Sequence, residues 1–165
     1  MRVIIRNRRH GAVFVHPIDP APRTAILARG FRETKLTRIF PQGWSEQAAR
    51  FAPASVAGPR EHVFQAARAG VRVEHSVVLF THPGEPGLTS LERESLWEAF
   101  EVPVFEQYLG PNSELLATEC DAHSGLHVVN GYEDLDLEYD ACACGNRAPR
   151  LVRGARIDEL AALLS

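Results

Sequence analysis

The residues of this chain best suited to chemistry are its three cysteines, Cys120, Cys142 and Cys144, and the two histidines between them, His123 and His127. Thiolate and neutral imidazole are the ligands that Zn²⁺ prefers, and structural zinc sites take four of them in a tetrahedron. Three cysteines and one histidine fill that set, so the stretch predicts a closed, structural zinc site. The spacing alone leaves the histidine open, since His123 gives Cys-x2-His and His127 lies in the segment that follows.

The number of cysteines also bears on the compartment. A disulfide scheme would leave one of three thiols over, and clustered cysteines in a reducing compartment favour a metal site. The apolar run near the N-terminus is too short for the core of a secretory signal. No apolar run approaches the ~20 residues that a membrane span needs. We therefore expect a cytoplasmic protein with reduced thiols and no membrane association.

The elements that must position these ligands change in character along the chain. Apolar runs broken by Gly and Pro predict short strands, and capped stretches predict helices. The predicted strands are 3–5, 12–16, 24–28, 77–80 and 102–108, and the predicted helices are 46–51 with the cap Ser45, 60–69, 91–100 with a cap at Thr89 or Ser90, and 157–164. Pro53 and the Ala-Gly-Pro at 57–59 are interpreted as breaks in the chain.

Two arrangements of strands follow from this pattern. Strand, helix and strand over residues 77–108 predict a βαβ crossover unit. Segments 115–119, 126–130 and 134–139 are short and alternating, and they predict a small antiparallel β region that carries the metal ligands. The expected fold class is therefore α/β with a C-terminal antiparallel zinc-binding part.

The length of 165 residues predicts a single domain. We divide it into a basic part without an assignable motif at 1–59, the α/β unit at 60–110 and the zinc-binding part at 111–165. These boundaries follow the changes in composition and pattern along the chain.

The net charge of −3 conceals a strong asymmetry. Residues 1–40 carry nine Lys or Arg against two acids, and residues 85–140 carry fourteen acids against Arg93 alone. A basic stretch can bind nucleic acid, but this one holds no recognised nucleic-acid motif and few aromatic residues for base stacking. We expect the two segments to face each other within the fold or across a homodimer, and nucleic acid not to be a partner.

Several short strings resemble one enzyme family. They are the run 78–108, Glu119-Cys120, Gly125-Leu126-His127 and the Cys-x-Cys-Gly-x-Arg-x-Pro-Arg of 142–150. Together they resemble the adenylate-forming acyl-CoA ligases, in particular the phenylacetate-CoA ligase and coenzyme F390 synthetase-like branch, over roughly residues 60–160. Members of that branch hold a zinc ion with the equivalent residues. The resemblance therefore implies Cys120, His127, Cys142 and Cys144 as ligands and selects His127 over His123.

The same resemblance implies half of a nucleotide pocket for AMP or ATP. Gly84, Glu85, Pro86 and Tyr108 match positions that flank the adenine in the family, and Glu114 lies near the place of its Mg²⁺-binding glutamate. The alternative interpretation is that Gly-Glu-Pro is a surface turn and Tyr108 a core residue. Among the scattered histidines, His82 stands out because it lies beside that turn.

The chain also departs from the family. No Ser/Thr/Gly-rich phosphate loop precedes residue 78, the segment with the ribose-binding Asp is missing between Asp140 and Cys142, and the lid with its catalytic lysine does not follow the hinge-like 154–158. Adenylation depends on positioning and charge stabilisation around the triphosphate. We therefore expect no acyl-adenylate formation by this chain alone.

These observations predict a zinc-binding, ligase-like accessory or binding module that works with a protein partner or a second copy of itself. The alternative is a nucleotide- or acyl-CoA-binding subunit of a composite acyl-activating enzyme.

Overall fold

The structure, a computed structural model, describes residues 11–129 and 137–151. Within them the strands are β1 (Thr24–Ile26), β2 (Thr37–Ile39), β3 (Ser55–Pro59), β4 (Ser76–Thr81), β5 (Val104–Leu109), β6 (Leu115–Glu119), β7 (Leu126–Val128), β8 (Leu137–Glu138) and β9 (Arg150–Leu151), and the helices are α1 (Glu46–Phe51), α2 (Arg60–Arg68) and α3 (Ser90–Phe100). The predicted strand 3–5, the predicted helix 157–164 and the first part of segment 134–139 lie outside the described residues. The fold is mixed α/β, which confirms the predicted class.

All nine strands join one sheet, in the order β2-β1-β3-β4-β5-β6-β7-β9-β8. The first five strands of that order are parallel, and α2 and α3 connect β3 to β4 and β4 to β5. The predicted βαβ unit is therefore confirmed. Every residue of β4 is buried, as expected for a parallel strand covered on both faces.

Local capping sets where two of the helices begin. Ser45 accepts a hydrogen bond from the amide of Ala48 at the start of α1. At α3 the cap is Thr89, which forms a reciprocal capping box with Glu92. Both patterns satisfy backbone N–H groups that a helix leaves without an internal partner, so the sequence located these starts correctly.

The three helices pack on the same face of the sheet. Phe51 of α1, Val63 of α2, and Leu96 and Phe100 of α3 share one buried cluster with the sheet residues on that face. The opposite face carries a second cluster rich in phenylalanine, in which the rings of Phe31 and Phe80 stack 5.3 Å apart. Within the described residues, helices thus cover one face of the sheet and the phenylalanine-rich cluster covers the other.

The prediction of a strand at 12–16 is wrong. This segment forms a single bridge, from Ala12 to Phe31, and crosses the phenylalanine-rich face as an extended strap. The Phe14 side chain packs into that cluster, and Gln107 donates a hydrogen bond to the carbonyl of Val15 at 2.7 Å. Its apolar alternation therefore reflects packing against a sheet rather than membership of one.

The interpretation of 57–59 as a break is also wrong, because these residues end β3. Gly58 lies where a Cβ atom would come within 2.9 Å of the Leu27 Cβ. A glycine is therefore required by the close approach of two neighbouring elements. Strands β2 and β9 were likewise not predicted, since they are only three and two residues long.

The direction of pairing changes at β5. This strand pairs with β4 in parallel on one side and with β6 antiparallel on the other, and β7, β9 and β8 continue the antiparallel part. A small cluster that includes Tyr108, Leu116 and Leu126 supports these strands. No helix of the described residues is long and apolar enough to cross a bilayer.

Candidate metal centre

The antiparallel part of the sheet brings three cysteines and one histidine together. Cys120 directly follows β6, His127 is the middle residue of β7, and Cys142 and Cys144 lie in the turn between β8 and β9. Glu119 pairs with Leu126 in the register of β6 and β7, so Cys120 lies next to the start of β7. One ligand atom from each of the four residues lies within 4.8 Å of the others.

The separations between these atoms suit one tetrahedral ion. The Cys120 and Cys142 sulfurs are 3.6 Å apart, and the Cys144 sulfur is 3.3 Å from His127 Nε2. A tetrahedral ion with metal–sulfur bonds of ~2.3 Å places its sulfurs about 3.8 Å from one another. All three thiols are free, with no disulfide among them. The cluster could therefore hold a metal ion without a large rearrangement.

Tight turns present the sulfurs. The amide of His123 donates to the carbonyl of Cys120 at 3.1 Å, and the amide of Gly145 donates to the carbonyl of Cys142 at 3.0 Å. Gly145 has a φ of +86°, in the left-handed region that favours glycine. The amide of Asn146 points at the Cys144 sulfur from 3.4 Å. Such N–H groups stabilise negative charge on sulfur.

The Cys120 and Cys142 thiols differ in acidity. Hydrogen bonds from the Ser124 hydroxyl and then from the Cys144 amide lower the pKa of Cys142 to about 6. Burial raises the pKa of Cys120 to about 11. Arg150 holds Ser124 in place, donating from Nη1 to its hydroxyl at 2.9 Å and to its carbonyl. Cys142 therefore supplies a thiolate readily, whereas the Cys120 thiolate needs the charge of a bound cation.

The position of the buried His127 ring also favours a bound cation. Its Nε2 atom faces the thiols, and its Nδ1 atom is buried without a hydrogen-bond partner among the described residues. The second ring nitrogen of a metal-bound histidine carries the proton and is normally held by a further group. A cation on Nε2 would fix the proton of this imidazole on Nδ1.

His123, the other candidate, lies outside the cluster. Its Nδ1 atom is 3.2 Å from the buried Glu119 carboxylate, and its ring stacks on Phe105 with the centroids 4.9 Å apart. Arg93 pairs with the same carboxylate at 2.7 Å. His123 thus lies beside the Arg93–Glu119 ion pair, and the structure offers His127 as the histidine of the cluster.

Protein-family models, curated proteins and solved structures were all compared with this chain. None matches it. The resemblance to the adenylate-forming ligases therefore stays a prediction, and the site must be judged by its own geometry.

The residues predicted to bind a nucleotide lie at the carboxyl edge of the sheet, the edge at which its parallel strands end. Gly84, Glu85 and Pro86 form the exposed turn after β4, and Thr81 at the end of β4 pairs with Tyr108. Tyr108 itself is only 6% exposed and packs in the small cluster of the antiparallel part. A carboxylate oxygen of Glu114 accepts from the amide of Asn112 at 2.7 Å. Their role as nucleotide contacts stays a prediction.

A crevice at the same edge was not predicted from the sequence. It has a volume of about 240 Å³ and lies where β1 and β3 end side by side; its polar lining is Arg29, His62, His82 and Ser113. In the sheet, β2 lies on one side of β1 and β3 lies on the other, so the direction in which strands are added reverses at β1. Open α/β sheets bind ligands at such a reversal. His82, beside the Gly-Glu-Pro turn, was the one signal of it in the sequence.

Proposed function

We propose that this protein is a zinc-stabilised binding module. The observation that supports it is the gathering of three thiols and one imidazole, with ligand atoms within 4.8 Å of one another. Thiolate ligands favour Zn²⁺ over the hard cations that prefer oxygen. Four protein ligands leave no position for a substrate, so the role of the ion is structural.

The proposed ion fastens the antiparallel part of the sheet. Strands β7, β8 and β9 are only two or three residues long, and the cluster that supports them is small. Zinc contributes on the order of 10–16 kcal/mol in small zinc-binding peptides, against roughly 5–15 kcal/mol for the stability of a whole domain. We infer that this part depends on the metal for its fold, and that the protein works in a reducing compartment, the cytoplasm, where its thiols stay free.

We propose further that the module acts beside another chain, or a second copy of itself, and is not a complete ligase. Two of the residues predicted to contact a nucleotide are engaged within the fold, which supports this view. Tyr108 is packed in a core cluster, and Glu114 accepts a hydrogen bond from the backbone of its own turn. Size-exclusion chromatography and pull-down with the full chain test it. A monomer that captures no partner would contradict the accessory role.

The metal is tested by a matched pair of variants. Protein purified without chelators is expected to carry about one equivalent of zinc by elemental analysis. His127→Gln should lower zinc affinity by about 10²-fold or more, because it removes a ligand, whereas His123→Gln should keep the metal bound. Cobalt substituted for zinc should show thiolate charge-transfer absorption. Metal-free protein whose stability does not change with added zinc would contradict the proposal.

A second candidate function is the binding of a nucleotide or acyl-CoA as one subunit of a composite enzyme. The observation that favours it is the crevice at the carboxyl edge, where Arg29 and two histidines line the space. Titration calorimetry with ATP, AMP and CoA tests it, with Arg29→Gln expected to weaken binding. If roughly millimolar ligand produced no heat of binding and no thermal shift, this candidate would be removed. The proposal of a zinc module would be unaffected.

A further inference from the structure

A second cleft lies between α1 and the edge strand β2, near the end of the sheet where β1 and β3 begin. Its volume is about 510 Å³, and its polar lining is Arg23, Glu33, Arg38, Gln47 and Arg50. Small-molecule sites commonly measure about 300–1,000 Å³. The cleft shares no lining residue with the metal centre or with the crevice at the carboxyl edge.

Two of its arginines are held on one aromatic ring. The guanidinium carbon of Arg23 lies 4.1 Å from the centroid of Phe51, and that of Arg38 lies 5.5 Å from it. Phe51 is 7% exposed and packs in the main core, so the ring is a fixed support. Stacking on a ring limits the motion of a guanidinium while leaving its N–H groups at the edge free to donate.

Among the residues that the structure describes, the arginines lining this cleft outnumber the carboxylates three to one. Neither Arg23 nor Arg38 forms an ion pair with a carboxylate in residues 11–129 and 137–151; Arg23 instead donates to the Phe51 carbonyl at 2.6 Å. The Arg50–Glu46 contact is 3.9 Å long and mostly exposed, so it contributes little. Glutamates do pair with arginines elsewhere in the fold, at Arg60, Arg72, Arg93 and Arg150. Arg23 and Arg38 therefore keep a charge that a bound anion can neutralise.

We propose that the cleft binds a phosphate group, carried by a small phosphorylated molecule. Guanidinium forks donate paired hydrogen bonds that match the oxygens of phosphate. The lining has three arginines and one glutamate. A phosphate monoester carries about −1.5 to −2 charges, so its charge nearly cancels the net positive charge of the lining. The Phe51 carbonyl, at the C-terminal end of α1, accepts a hydrogen bond from Arg23, which holds this guanidinium in place.

Calorimetric titration of the zinc-loaded protein with inorganic phosphate and pyrophosphate, at constant ionic strength set with chloride, tests the proposal. Arg38 is exposed on the edge strand, so Arg38→Gln should fold normally and weaken binding by about tenfold or more. Arg38→Lys should also weaken it, because lysine cannot donate in a fork. Arg68→Gln removes an exposed arginine at the end of α2 and is expected to bind as the wild type does.

Two results would overturn the proposal. One is the absence of binding at tens of millimolar phosphate, about the weakest affinity that one guanidinium pair implies. The other is equal weakening by Arg38→Gln and Arg68→Gln, which would mean only a general effect of charge.

A single-stranded oligonucleotide titrated in parallel separates the sources of phosphate. A small ligand should lose affinity with salt as one phosphate contact does, whereas a strand that contacts Z phosphates gives a logarithmic slope of about −0.7Z. Oligonucleotide binding that is tighter than pyrophosphate binding and has a slope of several units would refute the small-ligand assignment. Comparable or absent oligonucleotide binding would support it.

Discussion

Acidification is expected to destabilise this protein through His16. The imidazole is 9% exposed and belongs to the last residue of the strap that crosses the phenylalanine-rich face. Its Nδ1 atom accepts from the amide of Ile18 at 3.0 Å, and its Nε2 atom is 2.9 Å from the hydroxyl of Ser76. Burial lowers the pKa of His16 to about 4, with a smaller contribution from the ring of His75, 5.3 Å away, against an opposing hydrogen bond to the Ile18 backbone.

The size of the effect follows from the two states. In the unfolded chain a histidine titrates near its ordinary pKa of 6.5. As the pH falls below that value, the unfolded state gains a proton that the folded state does not take until about pH 4, so stability declines between these limits and is lost no further below them. About pH 5 is ~1.5 units below 6.5, and each unit corresponds to ~1.4 kcal/mol. The expected loss is at most ~2 kcal/mol, because any solvent that reaches the ring reduces it.

Urea unfolding followed by tryptophan fluorescence, at about pH 7 and about pH 5, measures this loss. His16→Gln keeps hydrogen-bonding groups in the cluster but cannot take up a proton, so its stability should fall by ~2 kcal/mol less than that of the wild type over the same range. Subtracting the variant removes contributions from the metal ligands. His82→Gln controls for the loss of an imidazole elsewhere. If His16→Gln lost as much stability as the wild type, burial of a neutral His16 would not be the cause.

Three further variants are expected to lower the free energy of unfolding, each measured by urea titration at neutral pH. Thr89→Ala removes the cap of α3 and should cost about 1 kcal/mol; a neutral result would mean that packing alone sets the start of that helix. Gly58→Ala puts a Cβ atom 2.9 Å from that of Leu27 and should cost about 1–3 kcal/mol, unless the two strands separate freely. Arg93→Ala leaves the Glu119 carboxylate, 4% exposed, without its cation and should cost about 3 kcal/mol; unchanged stability would show that solvent reaches Glu119.

Features of the fold that depend on neighbouring residues could be predicted from the sequence. The caps at Ser45 and Thr89 act within one helical turn, so their signals are complete in a few residues. The buried strand Ser76–Thr81 could be recognised because most of its run is apolar. The βαβ order then followed from the spacing of these elements.

Features of the fold that depend on distant residues could not be predicted from the sequence. Gly58 interrupts a strand pattern locally, and only the approach of Leu27 explains why β3 nevertheless continues through it. Segment 12–16 alternates like a strand, yet its single bridge is to Phe31, and no local signal distinguishes a strap from a strand. Partners of this kind are fixed by tertiary contact, which overrides local propensity.

The candidate site also has one part that local sequence predicts and another part that only tertiary contacts determine. Residue types alone indicated three cysteine ligands, while the choice between His123 and His127 required a family resemblance. The structure distinguishes them by position, since His127 lies in β7 facing the thiols and His123 turns toward Glu119 with a φ of +52°. The arginine cleft could not be predicted, because stacking of Arg23 and Arg38 on Phe51 joins three separate segments.

The change of direction at β5 has a consequence for metal starvation. Its six buried residues serve as the last parallel strand and also as the support for the antiparallel part. If that part detaches when the metal is withdrawn, the outer edge of β5 exposes a row of unpaired N–H and C=O groups. An exposed strand edge of this kind is a template for pairing with another chain. The supply of zinc would then determine how much of the protein remains dispersed and how much aggregates through β5.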